Sequence, residues 1–207
     1  MSATDNQKVT RGSGFLEAFL AKKRSQTANR LMSSSLREGR LLDVGCGSFP
    51  FFLANTSFKE KYGIDGSEAI TRYHQLPGSD ASLKVQYWNF GEKKVLPFDG
   101  NFFDVVTMLA VFEHIEKENL HALVSEIHRI LKPQGEYIIT VPAGWTDGLL
   151  RFMAKIRLVS GVEIEDHKDT YSRSKIASIL QGGGFNQNTI QSGYFEFFMN
   201  IWTKAVK

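Results

Sequence analysis

Cysteine is nearly missing from this 207-residue chain: Cys46 is the single one, so an internal disulfide framework is excluded. Long apolar runs are missing too. No segment approaches the roughly 18 to 20 consecutive apolar residues that cross a bilayer, and none has the charged-then-apolar order of a signal peptide. The expectation is a cytoplasmic protein whose membrane contacts, if any, are peripheral. A large excess of one charge is absent, the formal net charge being +3, which gives no electrostatic case for a nucleic-acid partner. Histidine is sparse, with five residues, and no His, Cys, Asp and Glu cluster has metal-ligand spacing, so no metal is expected. Repeats, low-complexity tracts and long linkers are also lacking, which leaves one domain as the organisation. With 42% hydrophobic residues, the chain has enough apolar material for a full α/β core.

What is present centres on residues 40–53, Arg-Leu-Leu-Asp-Val-Gly-Cys-Gly-Ser-Phe-Pro-Phe-Phe-Leu. An apolar strand runs into an acid, Asp43, and then into a Gly-x-Gly turn at Gly45 and Gly47, with Pro50 suited to the first turn of a following helix. A Gly-x-Gly after a strand serves in ligand-free turns as well as in nucleotide sites. Asp43 separates this turn from the dinucleotide kind, because a carboxylate repels a pyrophosphate and attracts an ammonium or a sulfonium. S-adenosylmethionine carries both cations. Asp65 ends the next apolar segment, 20 positions after Gly45, where a second strand presents a carboxylate to a ribose.

Short β-rich segments near 40–44, 61–65, 83–88, 103–110 and 135–141 alternate with helical ones near 50–56, 67–75 and 117–131, which predicts a parallel sheet covered on both faces. Residues 103–110 are almost uniformly apolar after Asp104, as in a strand buried on both sides. Lys132-Pro133-Gln134-Gly135 ends the long helix. Residues 1–14 are polar and expected to be disordered; apolar residues at helical spacing over 15–36 predict one or two amphipathic helices. Residues 142–171 read as an insertion on the substrate side, with a short helix over 149–159. A further helix starts at Ser172 and runs to Gly182-Gly183-Gly184, and two strands, 185–191 and 194–206, read as a hairpin.

Taken in order, Leu-Asp-Val-Gly-Cys-Gly at 42–47, Tyr-Gly-Ile-Asp-Gly-Ser at 62–67, Leu-Pro-Phe-Asp-Gly-Asn-Phe-Phe-Asp-Val-Val at 96–106, Phe-Glu-His-Ile at 112–115 and Ile-Leu-Lys-Pro-Gln-Gly at 130–135 resemble the class I S-adenosylmethionine-dependent methyltransferases, in particular the small-molecule, ubiquinone-biosynthesis-like group. The resemblance implies an α/β, Rossmann-like, doubly wound, mostly parallel seven-stranded sheet with an antiparallel last strand, and a single methyltransferase domain over 15–207. It also implies the cofactor contacts. Backbone at Gly45, Cys46 and Gly47 lies along the methionine and ribose, Asp43 accepts from the ammonium, and Asp65 with Gly66 holds the ribose hydroxyls. Asn89 and Phe90 stand where the family usually has an acid near the adenine, and Leu109 and Ala110 floor the pocket beneath the sulfonium. Phe49 departs from the pattern, standing where the family often has a third glycine, and its ring is expected to pack outward.

Methyl transfer from a sulfonium needs a positioned nucleophile and few catalytic groups. A base helps where the acceptor is a hydroxyl or an acidic carbon, and histidine suits that work at neutral pH. The candidates are His114, past the fourth strand, and His167 with Tyr171 in the insertion. Each has a structural alternative: His114 as a helix cap or pocket wall, the other two as loop residues. Glu113 could touch ligand or simply favour a helix start, while His74, His121 and His128 read as surface residues. Basic residues flank the apolar positions of 15–36 and 149–159, which suits a lid, a solvated basic face, or contact with an anionic membrane. The function expected is methyl transfer to a small-molecule or lipid- or glycan-linked acceptor, at oxygen ahead of nitrogen and carbon, which stay open. The alternatives are a catalytically silent domain that binds S-adenosylmethionine or S-adenosylhomocysteine, and a nicotinamide-dependent oxidoreductase, which Asp43 disfavours.

Overall fold

The computed structural model describes residues 15–144 and 171–207. Helix α1 (Phe15–Leu31) leads into strand β1 (Arg40–Val44), then α2 (Phe51–Ala54), β2 (Glu60–Asp65), β3 (Lys84–Tyr87), β4 (Phe103–Leu109), α3 (Lys117–Ile130) and β5 (Leu131–Pro142). After the second described stretch begins come α4 (Arg173–Gly182), β6 (Ile190–Phe195) and β7 (Asn200–Val206). The strands form one seven-stranded sheet in the order β3-β2-β1-β4-β5-β7-β6. Strands β1 to β5 are parallel and β7 enters antiparallel between β5 and β6.

Alternation along each central strand assigns side chains to two cores. Leu42, Val106 and Ile139 face the cluster under α3 and α4; their neighbours Leu41, Val105 and Ile138 face the cluster under α1 and α2. Both faces are dry, so from Val105 to Leu109 β4 is apolar apart from Thr107, as expected of a strand covered on two sides. Helix α3 buries Leu120, Leu123, Val124, Ile127 and Ile130, the i, i+3, i+4, i+7 stripe of an amphipathic helix. Each such side chain contributes about 1.5–3 kcal/mol. The next face of α3 receives Gly182, the last residue of α4, and the two glycines after it: added Cβ atoms at Gly182, Gly183 and Gly184 would stand 2.9, 2.2 and 3.3 Å from atoms of His121, Val124 and His128. Any side chain there would push the two helices apart.

Several expectations need correction. The hairpin's first strand is β6, Ile190–Phe195, and not 185–191, because Phe185 is buried in the core, stacked on Tyr137 and edge-on to His128. His128 is therefore half-buried, with burial holding its pKa below the usual histidine value, and is not a surface residue. Residues 68–75 form a 3-10 turn capped by Ser67 instead of an α-helix. One α-helix, α1, precedes the sheet, followed by a 3-10 turn at Ser34–Leu36. At the end of α3, Leu131 is already extended ahead of Pro133, and Gln134 takes the left-handed backbone at φ 66. Gly135 is needed for space, since a Cβ would lie 2.8 Å from the Lys132 carbonyl. The tail at 1–14 and the 149–159 helix lie outside the described residues.

A buried ionic knot pins α1 to the sheet. Glu136 on β5 accepts from Lys204 of β7 at 2.6 Å, from the Ser33 amide at 3.0 Å and from the Ser33 hydroxyl. Lys204 also donates to the Leu31 carbonyl at 2.8 Å. The helix's C-terminal end is thus fixed near the middle of β5.

Candidate functional site

The parallel strands β1, β2 and β4 bring their C-terminal ends to one edge, where ligands bind in open α/β sheets. Asp43 and Asp65 stand there, each 3% exposed. Between them the chain turns through Gly45 and Gly47, both at φ +77, a conformation that costs residues with a Cβ about 1–2 kcal/mol. Gly45 also packs tightly: a Cβ would stand 2.4 Å from Cγ2 of Val111, where the chain leaves β4. The Gly45 and Cys46 amides donate to the Ile64 carbonyl at 2.8 and 3.2 Å, clamping the turn to the end of β2.

Asp65 locks the turn from the other side. Its Oδ2 accepts from the Gly47 amide and its Oδ1 from the Ser67 amide, each at 2.8 Å. A carboxylate oxygen has a second lone pair, so acceptance from a diol remains open to it. Asp43 accepts the Thr107 hydroxyl at 2.7 Å. Burial raises the Asp43 pKa to about 7; the Thr107 bond opposes that rise and the Asp65 charge adds to it. Burial likewise pushes the Cys46 thiol up, with both aspartates adding to it.

The remaining site residues divide. Cys46 contributes backbone to the turn, while its sulfur is buried beneath Gly63. Phe49 does not pack outward: its ring is half-buried and meets Tyr73 edge-on at 5.9 Å, so the phenylalanine leaves the turn and joins the lower core. Gly66 is exposed beside the Trp88 carbonyl. Asn89 accepts from Gly91 at 2.9 Å and donates to Glu92 at 2.8 Å, engaging its amide within its own loop. The Phe90 ring is buried in the upper core. Leu109 and Ala110 are half-buried at the edge, with Ala110 at φ 56 and its amide donating to Thr140 at 2.9 Å. His114 closes a 3-10 turn, Phe112–His114, at the same edge. Tyr171 comes to that turn, its ring edge-on to Phe112 at 5.2 Å, and is buried. His167 lies outside the described residues.

Sequence reading missed Thr107 and Val111. Thr107 had a legible signal, being the polar residue inside an otherwise apolar buried strand, and such groups take a hydrogen-bond partner. Val111 had none, since its contact with Gly45 is visible only in three dimensions.

The donor set fits S-adenosylmethionine. Two buried carboxylates flank a turn whose Cβ-free backbone admits close approach, and acceptors of this kind suit an ammonium and a ribose diol. Among the described residues no group of His, Cys, Asp and Glu side chains gathers to hold a metal ion.

Residues 42–139 match a family described as methyltransferase domain. A ubiquinone biosynthesis O-methyltransferase from Bordetella avium is 28% identical over 105 residues, 50% of this chain and 43% of the relative. A thiocyanate methyltransferase 1 from Brassica oleracea is 36% identical over 110 residues, 51% of this chain and 47% of the relative. The aligned parts thus span less than half of these curated relatives. Among solved structures, an S-adenosylmethionine-dependent methyltransferase from Mesorhizobium loti superposes with a TM-score of 0.65 at 16% identity, covering 91% of this chain and 100% of that one. Motif order, sheet topology and the family match agree: residues 42–139 match a methyltransferase domain, and the sheet has the fold of the solved S-adenosylmethionine-dependent methyltransferase.

Proposed function

We propose that the protein transfers the methyl group of S-adenosylmethionine to an oxygen of a small-molecule or lipid- or glycan-linked acceptor. The observation that carries this reading is the pair of buried carboxylates, Asp43 and Asp65, on either side of the Gly45–Gly47 turn. When bound, the cofactor supplies an electrophilic methyl on a sulfonium, and transfer forms the acceptor oxygen–carbon bond as the carbon–sulfur bond breaks. Asp43 holds the ammonium and Asp65 the ribose. Asn89, released from Gly91, accepts from the adenine amino group, and Leu109 and Ala110 exclude water beneath the reacting carbon. His114 takes the acceptor's proton, with Tyr171, through its contact with Phe112, shaping the wall behind it.

Oxygen is favoured over nitrogen by the presence of a histidine at the ligand edge, since a hydroxyl must lose its proton as it attacks whereas a neutral amine attacks through its lone pair. A small acceptor fits the modest net charge of +3 better than a nucleic acid does. The test is calorimetric titration with S-adenosylmethionine, followed by transfer of a labelled methyl group into cell extract. Binding with transfer to an alkali-stable small molecule supports the reading. Binding with no labelled product supports a cofactor sensor instead, and affinity for NAD without affinity for S-adenosylmethionine supports an oxidoreductase. Within the proposal, His114→Ala lowers kcat about a hundredfold, with the loss largest at low pH for acceptors of high pKa.

A further inference from the structure

The turn between β6 and β7 is built in a way that sheet closure does not require. Glu196, Phe197 and Phe198 lie consecutively in the left-handed region, at φ 52, 54 and 67, where bulky residues are genuine outliers. Hydrogen bonds hold the strain. The Met199 amide donates to the Glu196 carbonyl at 3.0 Å, Asn200 donates to the Glu196 carboxylate at 2.5 Å, and the Ala143 amide donates to the Met199 carbonyl at 2.8 Å. Left-handed turns usually carry Gly or Asn. Here they present two phenylalanines to solvent, Phe197 92% and Phe198 66% exposed, with Tyr194 beside Phe198 at 5.6 Å.

The location is specific. Asn200 pairs with Pro142 at the C-terminal end of β5, so the tip stands on the edge that carries Asp43, Asp65 and His114. Cations surround it. Arg173 lies over the Tyr194 ring at 4.9 Å, Lys23 lies over the half-exposed Phe19 ring at 5.4 Å, and Arg24 and Lys23 act on the Glu196 carboxylate. Lys22, Lys23 and Arg30 further line a groove of about 510 Å³ along α1.

From this arrangement we infer that the aromatic tip at Phe197–Phe198 and the basic middle of α1, Lys22 to Arg24, dock the protein onto an anionic lipid surface, turning the cofactor edge toward it. Two protruding rings cover on the order of a few hundred Å², short of the roughly 800 Å² per partner in a stable protein interface. Rings flanked by cations match the interfacial layer of a bilayer with negative headgroups: the rings enter the acyl boundary and the lysines stay at the phosphates. Peripheral docking also agrees with the lack of any helix, among the described residues, long and apolar enough to cross a membrane.

The test is sedimentation of the full chain with phosphatidylcholine vesicles with and without phosphatidylglycerol. The expected result is binding to the phosphatidylglycerol vesicles, weakening as salt rises. Replacing Phe197→Ser and Phe198→Ser together lowers that binding about tenfold or more with an unchanged thermal midpoint, as both side chains are exposed. Lys22→Gln with Lys23→Gln lowers it several-fold and flattens the salt dependence. No binding by the native protein, or equal binding by the double serine variant, overturns the inference. So does light scattering that shows a dimer dissociated by the serine pair, which would assign the tip to a second copy. Vesicle binding needs neither acceptor nor methyl transfer, so failure here leaves the methyltransferase reading standing.

Discussion

The Thr107 hydroxyl on β4 donates to the Asp43 carboxyl on β1 across 2.7 Å, inside a sheet that is closed on both faces. That bond is the ionised aspartate's main local support, and burial outweighs it, raising the Asp43 pKa to about 7 from 3.8. Below pH about 4 the group is protonated in folded and unfolded chains alike. Between about 4 and about 7 it ionises first in the unfolded chain, which then binds fewer protons, so stability falls as pH rises and levels off above about 7. Asp43→Asn is therefore expected to remove that slope and raise stability at pH 8, read as urea midpoints at pH 5 and pH 8. Equal slopes in the two proteins would refute it.

With the ammonium role proposed for Asp43, cofactor binding is expected to couple to the same proton. An ammonium beside Asp43 favours its ionised form, so binding releases a proton below pH 7 and affinity for S-adenosylmethionine rises about tenfold from pH 6 to pH 8. Calorimetry in buffers of different ionisation enthalpy reads the proton directly. Thr107→Val removes the hydroxyl's support, moving the affinity rise to higher pH; an unmoved profile counts against the role given to Asp43.

Asp65 locks the turn, the proposed function adds the ribose as its second task, and its variants separate the two. Asp65→Ala orphans the Gly47 and Ser67 amides, costing about 2 kcal/mol of stability, and lowers cofactor affinity on the order of a hundredfold. Asp65→Asn keeps one acceptor for the turn and loses most of the ribose affinity. An alanine variant that binds the cofactor normally in titration would defeat the assignment.

Gly45→Ala is expected to destabilise by about 2–4 kcal/mol, since it adds strain at φ +77 to a 2.4 Å collision with Val111. Val111→Ala in the same chain restores part of the loss by removing the collision and leaves the backbone strain. Thermal midpoints of the single and double variants measure both parts; no recovery would mean that Val111 is not what meets the new methyl group.

Much of this architecture is legible in the chain. β1 and β4 are short, mostly apolar runs with Asp43 and Ala110 at their C-terminal ends, and their burial on two faces removes the ambiguity of period. Proline marks the end of α3. The β6 boundary was illegible because Phe185 is as apolar as a strand residue but belongs to the α4 side of the core, and nothing local distinguishes the two. The carboxylates of the site were readable from spacing, whereas their physical state was not: the Asp43 partner is 64 residues away, and the bond of Asp65 to Gly47 depends on how the turn folds back. The aromatic tip reads from sequence as part of the strand 194–206 because its residues have high strand propensity, and only the turn geometry turns them outward.

Glu136 and Lys204 are expected to fail singly and tolerate joint replacement. Either Glu136→Ala or Lys204→Met leaves a buried charge unpaired and costs about 3–5 kcal/mol, loosening α1 from the sheet. The double variant Glu136→Met with Lys204→Met loses less than the sum. Chemical denaturation of the four proteins tests this, and strict additivity would show that the pair is not coupled.

Strand β7 follows β6 in the chain yet lies between β6 and β5. On the ribosome, β6 emerges with no neighbour to join, because the strand that must separate it from the finished part of the sheet has not been made. The order of synthesis therefore opposes the order of assembly for this one pair. Until Ile201 and Ala205 leave the exit tunnel, the nascent chain presents the bare edge of β5 to whatever chaperone is at hand.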